Sequence, residues 1–320
     1  MKRIGVLTSG GDTPGMNAAI RAVVKFARVN GISVMGITKG YQGLIEGRVH
    51  EMHRAEVHDI VGQGGTILKT ARSKEFMTEE GQQKAIQVLQ AFDIEGLVII
   101  GGDGSYKGAK TLWKKGIPTI GLPGTIDNDL AYTDFTIGFN TAVSGVVGEI
   151  RKIRDTMESH ERIGVIEVMG NRCGDIALFS GVAGGAEHIL VPEIPFDLDA
   201  ICDDLVHDRI RGKLTSIIMI SEGAGKGESL ANYIHAKTGL DVKAIVLGYI
   251  QRGGQPTVDD RILSSRLGVR AVELLMEGKA GRVVGIRNNQ VVDDDIDEAL
   301  AMEPRFDKQL YDMAEPLTSL

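Results

Sequence analysis

The amino-acid sequence predicts an α/β protein made of two doubly wound domains with mainly parallel sheets. Short apolar runs alternate with longer amphipathic stretches along the whole chain, the pattern of repeated strand–helix–strand units. Glycine, at 42 of 320 residues, clusters after those apolar runs with no collagen-like period or low-complexity tract. That placement suits strand-to-helix loops approached by ligands. The length of 320 residues suffices for about two domains at the usual ~150 residues each.

Residues 4–7 read as a first strand, followed by a Gly-rich turn and a helix over 16–29. Met16, Ile20, Val23 and Ala27 form that helix's buried stripe at helical spacing. A second strand covers 34–38. A helix at 79–92 leads into the strand 97–100, and one at 107–115 leads to the strand 119–122. A helix over 141–158 precedes a strand at 163–169, and a helix at 175–183 precedes a strand at 188–192. A helix at 198–211 then leads to a strand at 216–220. The pattern closes with a strand at 244–247, a helix at 260–277 and a strand at 283–286. Such alternation predicts parallel pairing with helices on both faces. With no Pro- or Ser-rich linker, the crossing between domains is expected in the helix that begins near Phe139.

A hydrophobic content of 42% is that of a globular protein, and the net charge of −7 argues against a general nucleic-acid or acidic-membrane binder. Two cysteines, Cys173 and Cys202, suit a reducing compartment. The basic, then apolar, start is cut at Thr8-Ser-Gly-Gly-Asp12, too early for a signal peptide, and no run approaches the ~18 apolar residues of a membrane span. A soluble, cytoplasmic protein is expected.

Two loops carry most of the chemical information. Gly101-Gly-Asp-Gly-Ser105 and Gly121-Leu-Pro-Gly-Thr-Ile-Asp-Asn-Asp129 each follow a buried apolar run, so each is expected at a strand's carboxyl end, where open α/β sheets hold ligands. The first offers glycine amides to phosphate oxygens and one carboxylate to Mg²⁺. The second, if extended, projects Thr125, Asp127 and Asp129 to one side. Either loop alone reads as a Gly/Asp turn; the pair suggests phosphoryl transfer.

Thr8-Ser-Gly-Gly-Asp-Thr-Pro-Gly15 joins a strand to a helix and reads as an anion site. A capped turn, with Asp12 or Thr13 as cap and Pro14 early in the helix, would leave its paired glycines unexplained. Met169-Gly-Asn-Arg-Cys-Gly-Asp175 follows a strand and opens a helix, so its amides could bind a second anion. Glu222, after another strand, could accept hydrogen bonds from substrate hydroxyls, and Arg252 sits in the flexible Gln251-Arg-Gly-Gly254. Arg21, Lys25 and Arg28 share one helix face, which spacing alone makes a solvated basic row. The P-loop, dinucleotide, nucleophile-elbow and zinc-protease motifs are absent, and the seven histidines show no metal-ligand spacing.

Leu7-Thr-Ser-Gly-Gly-Asp12, Pro14-Gly-Met-Asn-Ala18, Ile100-Gly-Gly-Asp-Gly-Ser105, Pro123-Gly-Thr-Ile-Asp-Asn-Asp129, Lys152-Ile-Arg-Asp-Thr156, Glu167-Val-Met-Gly170 and Gln251-Arg-Gly-Gly254, in this order, resemble the bacterial ATP-dependent 6-phosphofructokinase family. The resemblance implies a homotetramer and a phosphofructokinase-like fold. Its ATP-binding domain would span 1–138 plus about 251–305, and its sugar-phosphate-binding domain 139–250 plus about 306–320. It implies ATP on Gly11, Arg72, Ser73, Gly102, Asp103, Gly104 and Ser105, with Asp103 on Mg²⁺. Asp127 matches the general base for the 1-hydroxyl of fructose 6-phosphate, flanked by Thr125 and Asp129. Met169, Gly170, Glu222, Lys243, Tyr249 and Arg252 match sugar-phosphate positions, and Arg162 matches one reached across a subunit interface. Arg21, Lys25, Arg54, Arg154, Gly185, Glu187, Arg211 and Lys213 match a pocket for a nucleotide effector such as ADP, which overrides the solvated reading of the basic row.

Glycine at 104 and 124, where pyrophosphate-dependent relatives typically carry Asp and Lys, implies ATP as donor. The chain departs from the family at Asn171, Lys243 and Tyr249, where Arg, Arg and His are usual. All three lie on the acceptor side, so a different acceptor such as sedoheptulose 7-phosphate, or a weakly active regulatory paralogue, stands as the alternative.

Overall fold

The computed structural model describes residues 1–318, so the last two residues of the segment 306–320 lie outside the described residues. The chain forms two compact units. Met1–Ile126, Leu130–Thr141 and Arg252–Pro304 make the first; Asp127–Asp129, Ala142–Gln251 and the chain from Arg305 onward make the second. Asp127–Asp129 thus cluster with the second unit, although they fall inside the range 1–138.

In chain order, the first unit runs β1 (Arg3–Thr8), α1 (Met16–Val29), β2 (Ser33–Ile37), α2 (Gly40–Ile45), β3 (Val49–Met52), α3 (Glu79–Ala91), β4 (Leu97–Gly101), α4 (Asp103–Lys114) and β5 (Thr119–Pro123). Helix α5 (Phe139–His160) leads to β6 (Ile163–Val168), α6 (Asp175–Gly184), β7 (His188–Leu190), α7 (Leu198–Ile210), β8 (Ser216–Ser221), α8 (Gly227–Thr238) and β9 (Val242–Val246) in the second. The chain returns to the first unit for α9 (Val258–Met276), β10 (Arg282–Arg287), β11 (Gln290–Asp295) and α10 (Ile296–Ala301), then ends on α11 (Lys308–Thr318).

The first sheet has seven strands in the order β11-β10-β5-β4-β1-β2-β3. Its inner pairs are parallel, while β3 and β11 run antiparallel at the edges. Strand side chains alternate between faces, and the core divides accordingly. Ile4, Val6, Val98, Ile100, Ile120 and Leu122 join one hydrophobic cluster with Met16, Ile20 and Val23 of α1 and Leu267 and Val272 of α9. Leu7, Leu97 and Ile99 join the other with Leu89 of α3 and Ala109 and Leu112 of α4. Both faces are therefore covered by helices. The strand order reverses at β1, which has β2 on one side and β4 on the other, so the loops after β1 and β4 flank a crevice at the switch point.

The second sheet has four parallel strands in the order β7-β8-β6-β9. Its core includes Ile163, Val165, Ile218 and Ile220 from the strands and Ile201, Leu205, Leu230 and Ile234 from α7 and α8.

One local expectation is corrected, one alternative is set aside and two strands are added. Helix α4 begins at Asp103, not near 107, because Gly102 occupies the N-cap in extended conformation and the Gly-Asp-Gly-Ser turn is itself the first helical turn. Neither Asp12 nor Thr13 caps α1: Gly15, at φ 108°, is the N-cap, and the Thr13 hydroxyl donates to the Ile137 carbonyl at 2.9 Å instead. The edge strands β3 and β11 escaped the sequence reading because they carry polar residues such as His50, Glu51 and Asp293–Asp295.

Candidate active site

In the first unit the loops after β1 and β4 meet. The Ser105 hydroxyl donates to the Ser9 carbonyl at 3.0 Å, and the Gly124 amide donates to the Gly101 carbonyl at 3.0 Å. Thr125 lies against Gly102: a methyl carbon placed on Gly102 would sit 3.5 Å from Thr125 Cβ. The segment leading to Arg72 and Ser73 joins them, since the Thr70 hydroxyl donates to the Gly10 carbonyl at 2.7 Å. Arg72 is exposed, while the Ser73 hydroxyl donates to Gln42 at 2.7 Å and accepts from the Phe76 amide. Arg252, expected with the sugar phosphate, donates to the Asp12 carbonyl at 3.3 Å and packs over Gly11.

Asp103 heads α4, where the helix dipole favours negative charge, and pairs with Lys107 one turn on at 2.6 Å. The two glycines tied to the donor behave differently. A side chain at Gly104 would meet nothing within 4 Å, so the space beside it is open. One at Gly124 would meet Ile100 at 2.9 Å and Met16 at 3.0 Å, so glycine there is a packing requirement. Tyr41 was missed by sequence reasoning. Its buried hydroxyl donates to the Ser105 carbonyl at 2.6 Å while its ring stacks on Phe76, a contact spanning 64 positions that no local pattern reveals.

The chain leaves the first unit directly after Ile126. The alternation expected of Thr125, Asp127 and Asp129 is not realised. Strand β5 ends at Pro123, the backbone bends, and Asn128 adopts a left-handed φ of 54°. The Thr136 hydroxyl holds the Thr125 carbonyl at 2.6 Å, and the Asn128 amide nitrogen donates to Asp175 at 2.8 Å.

In the second unit, the loop from Met169 to Asp175 is braced on several sides. The Met169 amide donates to Gln251 Oε1 at 3.0 Å, the Asn171 amide to Glu222 Oε1 at 3.0 Å, and the Gly174 amide to Glu193 Oε1 at 2.8 Å. This overturns part of the second anion-site expectation. The amides of Asn171 and Gly174 are already served by the protein's own carboxylates. Asp175, 7% exposed, is pushed up to about 6, chiefly by burial and also by the Glu193 charge, while the Asn128 bond opposes the shift.

Arg162 and Lys243 come together through Asp241, at 2.6 and 2.7 Å. Hydrogen bonds from Lys243 and Arg162 hold the Asp241 carboxyl below the usual carboxylate range. Asp241 stands just before β9, and the strand read at 244–247 did not reach it. Tyr249 is 83% exposed beside Val246 and Ile250.

Among the effector candidates, Arg154 binds Glu187 at 3.2 Å and the Gly185 carbonyl at 2.6 Å, and Lys213 stands 3.6 Å from Glu187. Glu187, Arg211 and Lys213 line a cavity of about 600 Å³ within the second unit. Arg54 is exposed, Lys25 is partly exposed, and Arg21 Nε is buried without a hydrogen-bond partner. Arg28 of the same row is tied to Glu51 and the Met52 carbonyl. Among the described residues no group of three or more His, Cys, Asp or Glu side chains is arranged to hold a metal ion. No helix among them is long and apolar enough to cross a membrane.

Glycine-rich loops meeting at a sheet switch point, with an aspartate heading the helix there, suit an α/β protein of the phosphoryl-transfer class. The phosphofructokinase family profile matches residues 3–275, and the chain belongs to that family. It is 58% identical over 318 residues to an ATP-dependent 6-phosphofructokinase of Clostridium novyi, covering 99% of this chain and 100% of the relative. Among solved structures, phosphofructokinase from Saccharomyces cerevisiae superposes with a TM-score of 0.88 at 33% identity, and that from Pichia pastoris in the T-state with 0.90 at 33%. Both cover 99% of this chain, which itself spans 47% and 37% of those longer chains.

Proposed function

We propose that this protein transfers the γ-phosphoryl group of ATP to the 1-hydroxyl of fructose 6-phosphate, giving fructose 1,6-bisphosphate. The observation that carries this reading is the junction of the β1 and β4 loops at the switch point, with open space at Gly104. That crevice suits a nucleotide's phosphate chain. Gly11, Gly102 and Ser105 offer close backbone approach, and Arg72 and Ser73 stand on the adjoining segment. Asp103 fits Mg²⁺, which takes one or two carboxylates and completes its shell with phosphate oxygens and water. Bound there, the ion would neutralise charge on the transferring group.

Asp127 takes the proton from the sugar's 1-hydroxyl as that oxygen attacks, a role contributing roughly 10²–10⁴-fold. Thr125 and Asp129 flank the reacting groups. Met169, Gly170 and Glu222 receive the sugar; Tyr249 and Arg252 receive its 6-phosphate together with Lys243 and Arg162, Arg162 reaching it across a subunit interface. Lys243 supplies a point charge rather than a bidentate fork, and Asp241 keeps it beside Arg162. Arg21, Lys25, Arg54, Arg154, Gly185, Glu187, Arg211 and Lys213 form a regulatory site for a nucleotide such as ADP. The assembly is a homotetramer in this reading; the exposed apolar Val246, Tyr249 and Ile250 along and after β9 support an interface but not its stoichiometry.

Steady-state assays with ATP and Mg²⁺ against fructose 6-phosphate, sedoheptulose 7-phosphate and pyrophosphate as alternative donor test the reading. The expected result is the highest kcat/KM with ATP and fructose 6-phosphate. A preference for the seven-carbon sugar, or for pyrophosphate, would overturn it.

A further inference from the structure

The loop carrying the candidate base contains a backbone conformation that needs support. Asn128, at φ 54°, sits in the left-handed region between Asp127 and Asp129, where asparagine is tolerated better than most residues but still at some cost. Its side-chain amide donates to Asp175 Oδ2 at 2.8 Å. Asp175 is a fixed post. It opens α6, it is 7% exposed, and the loop before it is pinned at Asn171 by Glu222, at the Cys173 carbonyl by Ser221, and at Gly174 by Glu193. All of these residues belong to the second unit.

A carboxylate so buried is costly, and the helix dipole at the start of α6 offsets only part of that cost. Gly174 is the N-cap and makes no side-chain cap bond, and the helix is otherwise apolar from Ile176 to Val182 except at Ser180. The partners of Asp175 are Asn128 and Cys173, and of the two only Asn128 lies on the loop of the candidate base.

We infer that Asp175 is a positioning residue for the phosphoryl transfer: through the Asn128 amide it locks the turn that aims Asp127 at the acceptor hydroxyl. This rests on the functional reading above. Asp175 touches neither donor nor acceptor in that scheme; it acts through Asn128.

The test compares wild type with Asp175→Asn, Asn128→Gly and the double variant, by steady-state kinetics and thermal unfolding. Asp175→Asn keeps the volume but removes the charge from the bond. Asn128→Gly keeps the left-handed backbone accessible while deleting the amide. Each single variant should lower kcat about tenfold and leave KM for ATP within about twofold, the pattern of an interaction used only at the transition state. The double variant should be no worse than the poorer single, because one change weakens and the other deletes the same link. The melting temperature of Asp175→Asn should equal or exceed that of wild type, since a buried charge is lost; a merely structural residue would lower it. Single variants with wild-type kcat, additive losses in the double, or a kcat loss matched by a fall in melting temperature would each overturn the inference. A wild type that does not turn over ATP with fructose 6-phosphate would defeat the functional reading and this one together. An active wild type with unaffected variants would defeat this one alone.

Discussion

The loops of the two units are fastened by different chemistry. In the first, neutral groups do it: the Ser105 hydroxyl to the Ser9 carbonyl, the Tyr41 hydroxyl to the Ser105 carbonyl, and the Thr70 hydroxyl to the Gly10 carbonyl. In the second, carboxylates do most of it, Glu222 to the Asn171 amide, Glu193 to Gly174, Glu167 to Gly227 and Asp175 to Asn128, beside the neutral Gln251 on the Met169 amide and the Ser221 hydroxyl on the Cys173 carbonyl. Hydroxyl-to-carbonyl bonds do not change with pH in the ordinary range, whereas a carboxylate accepts strongly only while ionised. The bonds named in the half that would carry ATP therefore do not change at moderate pH, whereas the Asp175–Asn128 bond depends on a carboxyl pushed up to about 6. Chemistry and donor binding should therefore be separable by experiment.

The sharpest separation is Asp127→Ser. It should reduce kcat by roughly 10²–10⁴-fold while leaving ATP affinity nearly unchanged. Equilibrium titration with nucleotide checks the second half, and a variant retaining more than about a tenth of wild-type kcat would remove Asp127 as base.

Within the first unit the two glycines give opposite results. Gly124→Ala should cost about 1–3 kcal/mol by forcing a methyl group against Ile100 and Met16. Gly104→Ala, in the open first turn of α4, should be neutral or stabilising yet raise KM for ATP. Denaturant unfolding beside ATP kinetics reads both; equal destabilisation would mean that the space at Gly104 is not a ligand space.

Acidification tests the comparison directly. Asp175 titrates at about 6, above its usual 3.8, chiefly because it is buried, with Asn128, Cys173, Glu193 and Asp307 as the neighbours acting on it. The folded protein therefore holds this proton more tightly than the unfolded chain. Ionised Asp175 costs stability above pH 6, by at most about 3 kcal/mol, and the cost is relieved as pH falls from 6 toward 4. Asp175→Asn should accordingly gain melting temperature over wild type above pH 6 and lose that advantage below. Activity should move the other way. Between pH 7.5 and 5.5 wild-type kcat should fall severalfold while ATP affinity changes less than about twofold. Parallel loss of both would mean that the two halves are not fastened differently.

The smallest effect concerns the acceptor phosphate. Lys243→Arg with Tyr249→His should lower KM for fructose 6-phosphate a few-fold with little change in kcat, the mark of added uniform binding. A gain confined to kcat would place these residues nearer the reacting atoms.

Much of this was legible in the sequence. The apolar runs that became β1, β4, β5, β6 and β8 announced parallel strands, because buried strands need unbroken hydrophobicity. The order of the Gly-rich segments pointed to the family, and the loops after β1 and β4 were expected to hold phosphate because glycine amides follow apolar runs there. What periodicity misjudged was the segment after β5. A two-residue repeat of Thr, Asp and Asp looks extended, but the repeat cannot register that the strand stops at Pro123 or that Asn128 turns left-handed. Residue types and their spacing along the chain determined which loops are the candidates to carry the chemistry. The tertiary structure alone decided what holds those loops: Tyr41 under Ser105, Glu222 and Glu193 on the amides of the Met169–Asp175 loop, Asp175 on Asn128. These partners stand 19 to 64 positions apart, and a hydrogen bond over such separations is set by how strands and helices stack in space, which local sequence does not encode.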